Sequence, residues 1–148
     1  MQILTKLTDS EPIKFLEFRI AEYPEGKANT RIVTYIKATV NIKAGQKIKD
    51  VYMTDGVVDD VYEFTAPEDL SGVHEEMGSY YLRHNLSYNP LLGHKSKLRV
   101  EVDSFSAEVE TRFFTQKEHR DQPFIFLGIG AAGVASLVGI YKLLRRRG

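Results

Sequence analysis

The residues of this chain that could do chemistry are four histidines and one short acidic run. The histidines are His74, His84, His94 and His119, and none lies two to four residues from another. Metal-binding pairs need such a spacing. His84 falls inside an alternating segment, so we expect it to be a packed or half-exposed strand residue. The histidines predict no metal site.

The acidic run is the sequence DGVVDD, which contains Asp55, Asp59 and Asp60 and is followed by Glu63. A calcium loop needs oxygen ligands at alternate positions around a turn that glycine permits. Two consecutive valines interrupt such a series here. We interpret the run as a solvated loop or a strand edge.

Composition excludes further classes of site. There is no cysteine, which excludes a disulfide framework, a thiolate zinc site and a cysteine nucleophile. The motifs GxSxG and HExxH and a glycine-rich phosphate loop are also missing. Twenty basic and twenty acidic residues give a net charge of zero, which argues against a nucleic-acid binder. We therefore expect no enzyme, with no catalytic, cofactor-binding or metal residues and no small-molecule substrate.

Alternation with a period of two dominates residues 13–114 and predicts β-strands. In IVTYIKATVNI, one face carries Ile32, Ile36, Ala38, Val40 and Ile42. The same pattern occurs in LRVEV (98–102), SFSAEVETRFF (104–114) and YYLRHNLSY (80–88), and more briefly in KFLEFRI, KDVYMT and DDVYEF. We expect about seven strands.

The segments between these runs have the composition of turns and loops. KAGQ, Lys43–Gln46, offers a glycine for the positive φ of a hairpin. Ala66–Gly72 and Asn89–Lys95 contain proline and glycine. This spacing predicts an all-β fold, an Ig-like antiparallel β-sandwich over residues 1–116, with a small barrel as the alternative.

The C-terminal part predicts a single transmembrane helix. From Gln122 to Tyr141 the chain carries no charge over 20 residues. A helix of about 20 residues spans about 30 Å, the thickness of the hydrocarbon core. Pro123 suits a helix start. We assign 117–121 as a charged linker, 122–144 as the transmembrane helix and 145–148 as a basic tip.

Small residues recur every four positions in the predicted span. The two rows are Gly128, Ala132 and Ser136, and Ala131, Ala135 and Gly139. Such rows let two helices approach closely in a membrane. They predict packing against another membrane helix, although a glycine- and alanine-rich span produces them by composition alone.

Basic residues at the end of the chain predict its orientation. They are Lys142, Arg145, Arg146 and Arg147. The positive-inside rule places this tip in the cytoplasm and the domain in an extracytoplasmic or lumenal space. The acceptor sequence Asn85–Ser87 would permit glycosylation of Asn85 there. The first twenty residues show no signal-peptide pattern, so a cytosolic domain tail-anchored to the mitochondrial outer membrane stays open.

One stretch, TYIKATVNIKAGQKIKDVYMTD, resembles the Ig-like domain of the translocon-associated protein complex beta subunit and related Ig-like repeat domains on prokaryotic surfaces. The matching residues are Asn41, Gly45, Asp50, Val51, Thr54 and Asp55. The acceptor sequence at 85–87 and the C-terminal span also resemble that subunit. The resemblance implies an Ig-like fold without enzymatic activity, in an accessory subunit that assembles with other membrane proteins and assists protein translocation.

Three interpretations of function follow from these features. The first is an assembly subunit of a membrane complex. The second is a free-standing cell-surface protein whose C-terminal span is an anchor or a sorting signal. The third is the mitochondrial tail-anchored protein.

Overall fold

The structure, a computed structural model, describes residues 11–131 and the side chains of residues 11–124. This part of the chain contains seven strands and one helix. They are β1 (Ile13–Ile20), β2 (Arg31–Ile42), β3 (Lys47–Thr54), β4 (Val57–Thr65), β5 (Leu70–Tyr81), β6 (His94–Val102), β7 (Phe105–Phe113) and α1 (Gln116–Ala131). The predicted all-β class is confirmed for the domain before the helix.

The strands form two antiparallel sheets, ordered β1-β2-β5 and β4-β3-β6-β7. One core cluster combines the fully buried Ile32 and Tyr80 of the first sheet with Leu98 and Val102 of the second. The ring of Tyr52 on β3 stacks on that of Tyr80 on β5, with 4.7 Å between centroids. The two sheets therefore pack face to face, and the predicted β-sandwich is confirmed.

Strand β2 shows why the alternation predicted this architecture. Its side chains are buried and half-buried in turn, and the inward ones include all those predicted: Ile32, Ile36, Ala38, Val40 and Ile42. Burying one aliphatic side chain of this size stabilises a fold by about 1.5–3 kcal/mol. The register is thereby fixed, because a slip by one residue would turn these side chains to solvent.

Two hairpin turns depend on positive φ angles. Gly45 has φ of 91° in the β2–β3 turn, as KAGQ predicts. In the β3–β4 turn, Asp55 and Gly56 have φ of 49° and 84°, and two positive angles are what the commonest two-residue hairpin loop requires. The first two residues of the acidic run DGVVDD are thus a turn between two strands.

One predicted strand is wrong in its position. The sequence predicts alternation over 80–88, but β5 begins at Leu70 and ends at Tyr81. Leu82 is buried all the same, because the chain then returns along the β1–β2 loop, where Leu82 N donates to Thr30 O and Leu86 N donates to Gly26 O. The first part of β5 escaped prediction because it is exposed on both faces.

The helix begins earlier than predicted. The charged residues 117–121, expected to be a linker, lie in the first turns of α1, and Pro123 lies inside the helix. Among the described residues, no helix has the length and hydropathy needed to cross a membrane. Of the predicted span, residues 132–144 lie outside the described part of the chain, so the span stays a prediction.

Candidate functional site: the junction between the sandwich and its helix

A buried histidine joins three distant segments at the end of the sandwich where α1 begins. His94 opens β6, Asp55 lies in the β3–β4 turn and Glu118 in the first turn of α1. His94 Nδ1 lies 2.7 Å from Asp55 Oδ2, and His94 Nε2 lies 2.6 Å from Glu118 Oε2. The His94 and Glu118 side chains are 3% and 1% exposed. The three residues form a continuous chain of charge-assisted hydrogen bonds, called here the His94 chain.

Both ring nitrogens of His94 are engaged within the His94 chain. A carboxylate oxygen is a hydrogen-bond acceptor, and a histidine ring nitrogen that carries a proton is a donor. One carboxylate stands at each nitrogen of His94. The ring and both carboxylates therefore connect β6, the β3–β4 turn and α1 at one buried point.

Glu118 is satisfied at both oxygens. Its Oε2 also accepts from Asn89 N at 2.7 Å, and its Oε1 accepts from Thr115 N at 2.8 Å. Glu118 N donates to Thr115 Oγ1 at 3.3 Å. This reciprocal pair is a capping box, which satisfies amide groups that the first turn of a helix leaves unpaired. A negative side chain is also favoured at this positive end of the helix dipole.

Loops of the sandwich hold the next part of the helix. Gln116 N donates to Pro24 O at 2.8 Å. The His119 ring stacks on Tyr23, with 3.9 Å between centroids. On the other side, the Tyr88 hydroxyl donates to Asp121 Oδ2 at 2.8 Å. Contacts from the β1–β2 and β5–β6 loops therefore seat α1 against the sandwich, so its direction is fixed by side chains and not only by the chain connection.

A second polar cluster closes the far end of β5. Asp60 Oδ2 accepts from Tyr81 N at 2.7 Å, and Asp60 Oδ1 accepts from Arg83 Nη2 at 2.8 Å. Burial alone would raise the pKa of Asp60, but these bonds and one from Tyr62 together hold it below its ordinary value. Asp59 Oδ1 lies 3.1 Å from His84 Nδ1. These carboxylates bind the segment after β5.

A third feature lies farther along the same margin of the sandwich, where β4 and β5 are the edge strands of their sheets. Asp50 on β3 points between the sheets. It lies two residues from each of the buried Ile48 and Tyr52, and so on the same face of the strand. Burial, and then the negative charge of Glu76, raise the pKa of Asp50 to about 6. Glu76 pairs in register with the inward Ile36, so it faces the same space. Two carboxylates thus share one inter-sheet space.

A buried hydroxyl network fills the core between these features. The Tyr80 hydroxyl lies 2.9 Å from Thr54 Oγ1 and 3.0 Å from Ser96 Oγ. Burial raises the pKa of Tyr80 to about 12. These hydroxyls are enclosed, so they cannot reach a substrate. The three hydroxyl groups satisfy one another's hydrogen-bonding needs in the core.

The remaining residues named from the sequence have plain roles or lie elsewhere. Asn85 is exposed after β5, where its Oδ1 accepts from Ala28 N at 2.9 Å, and its glycosylation stays a prediction. His74 Nε2 lies 2.9 Å from Ser71 O. Gly128 and Ala131 belong to α1. The others of the packing and orientation sets lie outside the described residues: Ala132, Ala135, Ser136, Gly139, Lys142, Arg145, Arg146 and Arg147.

Sequence reasoning missed the His94 chain, although two of its parts have local signals. The motif T-x-x-E at 115–118, just before an apolar run, predicts a capped helix start. Asp-Gly at 55–56 predicts a hairpin. His94 has no local signal, because its partners lie 39 and 24 residues away along the chain.

Comparison with known proteins gives little guidance. No family model matches the chain, and no curated protein matches it. Among solved structures, a chain of the archaeal flagellum of Methanospirillum hungatei strain JF1 is similar over 70% of this chain and 65% of that chain, at 13% identity and a TM-score of 0.37. A similarity of this size carries no argument about fold or function.

Proposed function

We propose that this protein is a non-enzymatic, single-pass membrane protein, an accessory subunit of a membrane complex. Its β-sandwich presents a binding surface, and α1 leads into a transmembrane helix that sets the position of that surface. The closest functional description is the one that the sequence resemblance implies, a translocon-associated subunit that assists protein translocation.

The observation that carries the proposal is the seating of α1 on the sandwich. A domain tethered by a flexible linker would sample many orientations above a membrane. Here the first turn of the helix is held by the buried pair of Glu118 and His94 and by the capping box at Thr115. Such a junction supports a role in which the domain must face its partners in one orientation.

The strand order supports the Ig-like form of the fold. In an Ig constant domain, the first, second, fifth and fourth strands form one sheet, and the third, sixth and seventh form the other. Here the orders 1-2-5 and 3-6-7 are kept, while β4 pairs with β3 instead of β5. Domains of this architecture commonly serve as binding modules on cell surfaces.

The apolar sequence supports the membrane anchor. The backbone of α1 continues without interruption from the charged residues at 117–121 into the uncharged run, at least to Ala131. The uncharged run of 20 residues has the length of a membrane span and ends in basic residues. The orientation proposed is domain outside or in a lumen, with Lys142–Arg147 in the cytoplasm.

Topology can be tested with single cysteines, because the chain has none of its own. Met77→Cys reports on the domain and Gly148→Cys on the tail. In sealed vesicles with the cytoplasmic face outward, a membrane-impermeant maleimide should label Gly148→Cys at once and Met77→Cys only after detergent. The reverse pattern would support the tail-anchored cytosolic domain instead.

Assembly needs a separate measurement. After extraction in mild detergent, native sizing should show the chain in a species larger than itself that contains other membrane proteins. Chain that migrates alone, with the predicted topology intact, would instead support the free-standing surface protein.

A further inference from the structure

The seam between β4 and β5 is the most open part of the sandwich. Both are edge strands, and they touch at few points, whereas β1 and β7 on the other side pack along much of their length. The seam is closed at one end by the short connection between the two strands and at the other by Asp60, which binds Tyr81 N. Between these ends, the inward side chains of β5 are exposed.

The interior of the seam contains hydrogen-bond acceptors without partners. Asp50 and Glu76 approach from opposite sheets, and among the described residues neither forms a hydrogen bond or an ion pair. Thr34 is fully buried beside them, and its Oγ1 has no hydrogen-bond partner. The Tyr52 hydroxyl is its polar neighbour: burial raises the pKa of Tyr52, and the nearby Thr34 hydroxyl offsets part of that rise.

Because Gly78 has no side chain, the hydroxyls of Thr34 and Tyr52 are open to the edge strand β5. A Cβ atom at this position would lie 2.8 Å from Thr34 Oγ1 and 3.0 Å from the Tyr52 hydroxyl. The missing side chain therefore leaves both hydroxyls directed toward β5 next to Glu76. Two carboxylates and two hydroxyls converge here, and no lysine or arginine among the described residues forms an ion pair with them. This set suits a ligand that brings several N–H donors and a positive charge.

The walls of the seam suit an extended chain. Tyr62 and Phe64 of β4 and Leu70 of β5 are exposed and lie on the faces of their strands that point between the sheets. The outer edge of β5 offers a row of backbone N–H and C=O groups over twelve residues. A strand added at such an edge gains affinity from the backbone and specificity from alternate side chains.

We propose that the β4–β5 seam binds an extended segment of a partner protein that carries a lysine or arginine. The basic group lies between Asp50 and Glu76, and the backbone of the segment pairs with β5. Charge complementarity selects this occupant: the seam holds two unpaired carboxylates, which a second copy of β5, with Glu75 and Glu76 at its centre, would not neutralise. The identity of the partner as another membrane subunit rests on the proposed function.

A competing explanation is that Glu76 only protects the edge strand. Natural sheets place inward-pointing charges on edges to prevent pairing with other chains. Edge protection requires no hydrogen-bond acceptors behind Glu76. It would also exclude every partner strand, whether or not that strand carries a basic residue. Charge reversal separates the two explanations.

The experiment places a photo-crosslinking amino acid at His74, whose exposed side chain lies on the same face of β5 as Glu76. Leu16 is the control position on the other edge strand of the same sheet. The full chain is irradiated in its native membrane. The adduct from position 74 should contain a partner peptide with a lysine or arginine, and Leu16 should not give that adduct. An adduct with a second copy of the chain, with its own N-terminal residues 1–10 or with lipid alone would overturn the proposal, as would no adduct.

Charge variants then test the pocket itself. Glu76→Lys should lower the yield of the adduct at least tenfold, and Glu76→Gln should lower it less. Glu75→Lys is the matched control, since its side chain lies on the opposite face of the same strand and should leave the yield within twofold. Changing the crosslinked basic residue of the partner to glutamate should restore the adduct with Glu76→Lys.

Equal loss with Glu75→Lys and Glu76→Lys would overturn the proposal, and so would unchanged yield with Glu76→Lys. Unchanged hydrogen exchange in the core strands controls for folding. Native sizing of the same samples separates this proposal from the proposed function. If the complex persists without an adduct at position 74, only the seam proposal fails.

Discussion

His94 Nε2 lies 2.6 Å from Glu118 Oε2, and both side chains are almost completely buried. This single contact connects the first residue of β6 with the first turn of α1. Removing a buried acceptor leaves its hydrogen-bond donors unsatisfied, which costs about 1–3 kcal/mol for each buried group. The stability of the helix junction should therefore depend on both residues together.

The first prediction concerns Glu118→Ala. We expect it to lower the free energy of unfolding by about 3 kcal/mol, since His94 loses a partner and the amides of Asn89 and Thr115 lose their acceptor. Chemical denaturation of the full chain in detergent measures the change. The control is Glu110→Ala, which removes an exposed ion pair with Lys95 and should cost less than about 1 kcal/mol. Similar losses in the two variants would show that the His94 chain adds no special stability.

The second prediction concerns pH. The pKa of Asp50 rises from 3.8 to about 6 on folding, so between these values the folded protein binds more protons than the unfolded chain. The contribution of Asp50 to stability is therefore greatest below pH 4 and is lost as the pH rises through about 6. We expect a loss of about 1–3 kcal/mol, because the side chain is only partly shielded from water.

Asp50→Asn provides the measurement for this prediction. Above pH 6 the variant should be more stable than the parent, and near pH 4 the two should be alike. Thermal unfolding of both proteins at several pH values gives the difference, in which the other titrating groups cancel. The idea is wrong if the parent stays as stable as the variant at pH 7.

Asp50→Asn should also weaken partner binding in the seam, so a more stable domain would assemble less well.

Strand β2 and the early part of β5 show what sequence could and could not predict. Ile36 and Val40 repeat with a period of two because β2 lies in the middle of its sheet with one face on the core. Their partners in β5 are Glu76 and Gly72, which carry no apolar signal. An edge strand along an open seam has no buried face to impose alternation, so the start of β5 has the composition of a loop.

The candidate sites were harder to predict for a different reason. The capping box at Thr115 and Glu118 is local and could have been found from its spacing. The contact of His94 with Glu118, and the proximity of Asp50 to Glu76, arise only when the two sheets and the helix are assembled. Contacts between residues that are distant along the chain leave no periodic pattern in the sequence. The four acceptors of the seam are likewise contributed by three different strands, β2, β3 and β5.

The third prediction concerns Gly93, which has φ of 70° just before β6. A Cβ atom there would lie 2.5 Å from Phe113 O and 2.9 Å from Phe114 Cε1. Gly93→Ala should therefore cost about 3 kcal/mol or more, since steric overlap with backbone adds to the strain of a positive φ. Gly45→Ala is the matched control, because Gly45 also has a positive φ but has open space around it. It should cost about 1–2 kcal/mol, the strain of a positive φ alone. Equal costs in denaturant unfolding would contradict the predicted overlap.

The last prediction concerns Thr115, the residue before α1. Its Oγ1 accepts from Glu118 N at 3.3 Å, and its own N–H donates to Glu118 Oε1 at 2.8 Å. Thr115→Ala removes the first bond and keeps the second, so we expect a loss of about 1 kcal/mol. Thr115→Ser keeps the hydroxyl and should retain most of the stability. Hydrogen exchange of amides 116–119 should speed up about fivefold in Thr115→Ala, while the core amides of β2 change little, because the helix start opens before the sandwich does. If exchange rises equally in β2 and at the helix start, the cap is not a separate local unit, and α1 and the sandwich unfold together.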